Sequence, residues 1–278
     1  MQTTLKTIVR FDGTGLHTGR PAKLVLRPAP ANTGIVFRRV DIADVDNRLR
    51  ATWDHVVLSP LNTRLTNAAG VMVSTIEHLM AALSGTGVHN ALIDIDGPEV
   101  PIMDGSAAAF VRGIVEGGLT RHAAPLRAIE ILRNVSVVDG LARAALSPPT
   151  SLQIAFDIEF TDAAIGQQAK TLNMANGAFV RELCDSRTFC RRADVDMMRA
   201  NGLALGGTLE NAVVVDGDQV LSLGGLRHGC RGQQSGSFCR CVTIDLPSSR
   251  SCGQKAFCTR FFYARPISNM LRACCTLA

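Results

Sequence analysis

Nowhere in the chain does an apolar run approach the about 18 residues that a membrane-crossing helix needs, which excludes a helical integral membrane protein. The start, Met1-Gln2-Thr3-Thr4-Leu5-Lys6, has neither the charged opening nor the apolar block of a secretory signal, so a cytoplasmic protein is expected. Glycine (25) and proline (11) occur at ordinary frequency, which excludes collagen-like and low-complexity chains. Cysteine is nearly absent from the first 228 residues, where only Cys184 and Cys190 occur. Against these absences, 46% of the 278 residues are apolar and 19% are charged, enough to fill a core and unlike a disordered chain. That length predicts about two domains.

The overall charge of +5 hides a division. Residues 229–278 carry seven Lys/Arg against one acid, Asp245, and seven cysteines, whereas the first 228 residues have a net charge of −1. Such a cysteine density marks disulfide scaffolds in short secreted chains, yet a cytosolic chain keeps its thiols reduced. Residues 229–255 also show no sustained helical or strand period. The last fifth therefore follows different rules from the rest.

The first 228 residues read as α+β. Strands are predicted at 23–27, 34–38, 53–57, 90–96 and 153–160, the last with Ile154, Phe156, Ile158 and Phe160 on one face. Helices are predicted at about 74–84, 106–116, 177–184 and 194–200, and Asp216-Gly217 between Val213-Val214-Val215 and Val220-Leu221 signals a hairpin. Residues 117–125 are short, loop-like and bounded by helix breakers, which places a boundary between domains at 1–120 and 126–228. Strands followed by helices, twice over, suggest two similar layers.

The segment richest in chemistry is Ser74-Thr75-Ile76-Glu77-His78-Leu79-Met80-Ala81-Ala82-Leu83. Ser74 and Glu77 have the spacing of a capping box, which would start the helix at Ser74. Ile76, Leu79, Met80 and Leu83 share a face, and His78 lies roughly 160–200° from it, so its ring is expected to be accessible. In the first turn the helix dipole disfavours imidazolium, and a neutral imidazole is what a metal requires. The alternative is that Glu77 merely caps and His78 is merely exposed; a metal needs three ligands and this segment offers at most two.

Other residues carry paired readings too. His17, in Gly15-Leu16-His17-Thr18-Gly19, either approaches a ligand or is a solvated turn histidine. His55, His89 and His122 read as structural, and Asp104-Gly105-Ser106 as a turn and helix cap. Thr188, in Ser186-Arg187-Thr188-Phe189, either presents its hydroxyl to a reacting carbonyl or satisfies the turn.

Six blocks stand in order: residues 15–19, Arg27-Pro28-Ala29-Pro30-Ala31-Asn32-Thr33-Gly34, residues 74–83, Pro98-Glu99-Val100-Pro101-Ile102-Met103-Asp104-Gly105-Ser106-Ala107, residues 186–189, and Asn201-Gly202-Leu203-Ala204-Leu205-Gly206-Gly207. Together they resemble one family, the zinc-dependent UDP-3-O-acyl-N-acetylglucosamine deacetylases of lipid A biosynthesis. The resemblance implies two α+β domains, each a mixed or antiparallel sheet packed against helices, with the site at their junction. It implies a monomeric hydrolase that releases acetate from the 2-acetamido group of UDP-3-O-(3-hydroxyacyl)-N-acetylglucosamine and binds no nucleic acid. By the same resemblance His78 is a Zn2+ ligand, Glu77 the base that activates water, and Thr188 the donor to the oxyanion. Leu61, Thr63, Phe189, Ala204 and Gly207 lie along the substrate and acyl passage, and His17 lies near the nucleotide sugar.

The chain departs from that pattern after Gly225-Leu226-Arg227. The family continues with a helix carrying Arg-His-Lys and an aspartate, the second and third zinc ligands, and later a general-acid histidine. Here His228 is the last histidine, which leaves the second domain incomplete and predicts weakened zinc binding and impaired catalysis. Cys190-Arg191-Arg192 also sets two cations where the acyl passage is expected. The tail at 229–278 reads as the product of a shifted reading frame. The competing readings are a cysteine metal module, which lacks paired Cys-x-x-Cys spacing, and a basic tail, which has few interleaved aromatics besides Phe261-Phe262-Tyr263. A different class of protein, a relic that binds UDP-sugar or acyl groups without turnover, is the alternative function.

Overall fold

The computed structural model describes residues 1–222, apart from 60, 128–130, 140–141 and 149–150. The frame-shift, metal-module and basic-tail readings of 229–278 fall outside the described residues. The elements are β1 (Thr3–Leu5), β2 (Val9–Thr14), β3 (Pro21–Pro28), β4 (Ile35–Arg39), β5 (Arg48–Arg50), β6 (Val56–Val57), β7 (Arg64–Thr66), β8 (Met72–Ser74), α1 (Glu77–Thr86), β9 (Ala91–Ile95), α2 (Ala108–Gly117) and β10 (Leu119–Arg121). The second half adds β11 (Val135–Asp139), β12 (Ala142–Leu146), β13 (Gln153–Glu159), β14 (Gln167–Asn173), α3 (Ala178–Glu182), β15 (Phe189–Arg191), α4 (Arg192–Ala200), β16 (Val213–Asp216) and β17 (Gln219–Val220). This is a mixed α+β fold, and no described helix is long and apolar enough to cross a membrane.

A five-stranded sheet in the order β2-β3-β9-β4-β5 forms the base of the first half. Its register places Val9, Leu26, Ile93, Phe37 and Leu49 side by side in one row, and all five are buried. Each such side chain contributes about 1.5–3 kcal/mol when taken out of water. The next row faces the other way and is charged: Asp94 receives Arg27 Nε and Arg38 Nε, each at 2.7 Å. The period-2 alternation of the sequence thus decides which face of the sheet holds the helices.

Helices α1 and α2 cover the apolar face. Phe110 of α2 meets Phe11 edge-on, with ring centroids 5.0 Å apart. Ile76, Leu79, Met80 and Leu83 are buried as one stripe, but Ala81 and Ala82 on the opposite side are buried too. The reason is tertiary: Ile154, Leu172, Phe179 and Leu183 from β13, β14 and the α3 region join the same core. A smaller cluster of Ile158, Ile165, Phe189, Val213 and Val215 sits under the sheet β15-β16-β17.

Three local expectations are corrected. Helix α1 begins at Glu77 and not at Ser74, because Ser74 ends β8 and its Oγ donates to the Pro98 carbonyl at 3.1 Å, so no capping box forms. Trp53–His55 is a single 3-10 turn and only Val56–Val57 is extended. The loop read at 117–125 contains β10, which pairs antiparallel with β1 and so closes the first half on its own N-terminus.

Gly85 marks where the halves meet. A Cβ there would overlap the ring of Phe179, a buried side chain with no room to withdraw. Gly85→Ala is therefore expected to destabilise the protein by about 1–3 kcal/mol despite the better helix propensity of alanine. A thermal or urea unfolding midpoint equal to or above that of the unmutated chain would contradict this packing.

Candidate functional site

The site is built where β8 turns into α1. Ser74 N–H donates to Pro98 O at 2.9 Å and Val100 N–H to Ser74 O at 3.0 Å, so β8 is fixed beside residues 98–100. Thr75 then adopts φ +57°, a left-handed conformation that is strained for a β-branched residue. This turn aims the first residues of α1 at the segment 61–63. Thr63 N–H donates to Glu77 Oε2 at 2.9 Å, and Ile76 N–H reaches Thr63 O at 3.4 Å.

Glu77 and His78 are 2% and 7% exposed, so the expectation of an accessible imidazole is corrected: the ring is packed inside the protein. The face opposite the apolar stripe of α1 is covered by the second half of the chain, which a helical wheel does not contain. Burial pulls the His78 pKa down to about 4, with the carboxylate of Asp104 acting in the opposite direction. The imidazole is thus neutral at neutral pH, mainly through desolvation. Asp104 forms the turn read from the sequence, accepting Ser106 N–H at 3.0 Å and Ser106 Oγ–H at 2.7 Å on Oδ1.

The loop at 15–19 lies against the loop at 203–207. Gly206 N–H donates to Leu16 O at 3.0 Å, Leu205 N–H to His17 O at 3.2 Å, and Ala204 N–H to His17 Nδ1 at 3.4 Å. Gly206 is required for this approach, since a Cβ there would overlap Gly15 O. Burial lowers the His17 pKa against an upward pull from Glu99.

Beside these loops is a cavity of about 410 Å³. Of the residues singled out from the sequence, His17, Leu61, Thr188, Phe189, Ala204 and Gly207 line it, whereas Thr63, Glu77 and His78 do not. Thr188 has both backbone groups engaged, its N–H with Gly105 O at 2.8 Å and its carbonyl with Val213 N–H at 2.9 Å. The residue forms part of the cavity wall. Val195 and Met198 of α4 add apolar wall that sequence reading missed, although their i, i+3 spacing was the available signal. Only one of the two expected cations reaches this space. Arg191 Nε pairs with Asp162 Oδ2 at 2.6 Å, whereas Arg192 lines the cavity and holds Asp216 at 3.1 Å. Cys190 also lines it, and burial pushes its thiol up to about 11.

A buried neutral imidazole is a suitable single ligand for a divalent ion. Among the described residues, however, no group of three His, Cys, Asp or Glu side chains could hold one. These residues therefore do not make up a zinc site without contributions from elsewhere.

The depressed His78 pKa has a consequence for metal-free protein. Unfolded, the imidazole takes up a proton below about pH 6.5; folded, it resists until about 4. Stability is therefore complete above the unfolded value and is lost as pH falls through this window, by about 1.4 kcal/mol per unit. Urea unfolding of chelator-treated protein at pH 7, 6 and 5 should show this slope, and His78→Gln should flatten it. An unchanged slope in the variant would mean that His78 is not the group responsible.

The model of the family described as UDP-3-O-acyl N-acetylglycosamine deacetylase matches residues 2–229. The UDP-3-O-acyl-N-acetylglucosamine deacetylase of Phenylobacterium zucineum is 51% identical over 226 residues, 81% of this chain and 77% of that protein. Proteins of the same name from Citrifermentans bemidjiense and Shewanella frigidimarina are 46% and 42% identical over 229 residues, covering 73% and 74% of their own lengths and 81% and 82% of this chain. The turn that presents Glu77 and His78, the paired loops and the cavity all lie inside the matched span, and the chain belongs to the UDP-3-O-acyl-N-acetylglucosamine deacetylase family.

Proposed function

We propose that this chain is built to bind UDP-3-O-acyl-N-acetylglucosamine and to hydrolyse its 2-acetamido group in lipid A synthesis, and that the step is impaired in the chain as it stands. One observation carries the binding half of this reading. His17, Leu61, Thr188, Phe189, Ala204 and Gly207, scattered over 190 positions of sequence, line a single cavity, in which Leu61, Phe189, Val195 and Met198 supply apolar wall suited to an acyl chain. Family membership supports the reaction class.

In this reading the chain's own residues divide the work. The apolar wall takes the acyl chain and excludes water. His17 binds near the nucleotide sugar. Glu77, with Oε2 held by Thr63 N–H, takes the proton of the attacking water at Oε1. The Thr188 hydroxyl donates to the oxygen of the acetamido group as it gains negative charge. Zinc, when bound, acidifies water and polarises the carbonyl, and His78 would be one of its ligands.

Impairment is supported by two features. Histidine does not occur after His228, and the family match ends at residue 229. A chain left with one of three ligands binds zinc weakly. This favours a protein that retains ligand binding while turning over slowly.

Acetate release measured alongside zinc content by elemental analysis tests both halves. The expected result is well under one zinc per chain and little turnover, with retained binding of the UDP-acyl-sugar. One tightly held zinc per chain with full turnover would refute the impairment. Failure to bind the UDP-acyl-sugar would refute the reading of the cavity. Where turnover is measurable, Glu77→Gln should lower it by at least about 10²-fold, and an unchanged rate would remove Glu77 from its role. The coding DNA tests the frame shift: another frame after codon 228 should encode Arg-His-Lys followed by Asp.

A further inference from the structure

The carboxylate of Glu99 belongs to no role assigned above, yet it is almost completely buried, at 1% exposure. A buried charge persists only where donors converge on it. Three do so. His17 N–H reaches Oε1 at 2.9 Å, Thr18 N–H reaches Oε2 at 2.7 Å, and the Thr75 hydroxyl donates to Oε1 at 2.7 Å. Gly15 leaves room for this group, since a Cβ there would overlap Oε2.

We infer that Glu99 is a positioning residue that holds Thr75 in its left-handed turn and thereby sets Glu77 against residues 61–63. Strained backbone is retained only where its surroundings over-determine it, and the Thr75 side chain has two such anchors. Its hydroxyl has one proton, which goes to Glu99. Its oxygen therefore accepts from Asn62 Nδ2, 3.1 Å away. Asn62 precedes Thr63, whose N–H holds Glu77 Oε2. One directed chain, from Asn62 to Thr75 to Glu99, thus braces Glu77 from both sides: from the residue two before it and from the segment that receives its carboxylate. Glycine would take the left-handed conformation without strain. Threonine holds it only with its hydroxyl anchored, so the anchors offset the strain that its branched side chain brings. The same carboxylate also anchors the backbone of His17, so one buried charge ties the nucleotide-sugar loop to the start of α1.

The catalytic meaning of this brace rests on Glu77 acting as the base, but the brace itself is read without turnover. Amide hydrogen exchange on the full chain reports it, with Thr63 N–H as the probe and the amides of Ile93 and Phe37 in the central sheet as controls. Thr75→Val, which keeps the branch and removes the hydroxyl, and Glu99→Gln should each speed Thr63 exchange by about tenfold or more while the controls stay protected. Thr75→Gly should leave Thr63 protected, and adding it to Glu99→Gln should restore protection, because strain no longer needs an anchor. A merely structural carboxylate would not be rescued by glycine at another position. If Glu99→Gln also exposes the controls, the pair Thr75→Val and Thr75→Gly decides. Thr63 equally protected in Thr75→Val and in the unmutated chain, or equally exposed in Thr75→Val and Thr75→Gly, overturns the inference. Loss of turnover in the unmutated chain would bear on the proposed function and not on this one.

Discussion

A helix of ten residues, α1, is enclosed by protein on every side of its first two turns, and its first two residues are a carboxylate and an imidazole. Burying both at the start of one helix is costly unless hydrogen bonds and neutralisation compensate. The structure compensates in two ways. Glu77 receives a backbone N–H from Thr63, and His78 is held in its neutral form. The remainder of the site follows from that requirement. The strand β8 must end at Ser74, the chain must reverse through a left-handed Thr75, and residues 61–63 must come alongside.

Enclosure of α1 also explains why the two halves of the chain are joined by packing and not merely by a connection. The five-stranded sheet covers one side of the helix, and β13, β14 and the α3 region cover another, within a single core. Gly85 and Gly206 sit at the closest approaches, one where a ring lies on the helix and one where two loops touch backbone to backbone. The cavity lies beyond these contacts. Its wall draws on the loop at 15–19, on Leu61 and on the β15–α4–β16 unit. No one of these segments forms a pocket alone.

Charged side chains are satisfied in different ways. Arg191, which the sequence placed in the acyl passage, instead turns to Asp162, leaving Arg192 as the cation of that pair at the cavity. Asp94 is flanked by two arginines on the open face of the sheet, away from the site. Glu99 differs from both, since its partners are backbone N–H groups and a hydroxyl and not a cation. Such partners hold a loop in one shape as well as stabilising a charge.

Elements with a strong local period were legible from residues alone. The alternation of 153–160, the stripe of Ile76, Leu79, Met80 and Leu83, and the Asp216-Gly217 hairpin all form, because strand and helix periods act within a few residues. The family could be read too, from six short blocks in order. Three features depended on segments distant in sequence. Ser74 joined a strand and not a cap because Pro98 and Val100 lie beside it. His78 is buried because the second half covers a face that a helical wheel leaves open. Glu99, inside a recognised block, became a brace only when residues 17, 18 and 75 were brought around it. Local chemistry settles what an element is; what its polar side chains experience depends on which distant segment excludes water from them.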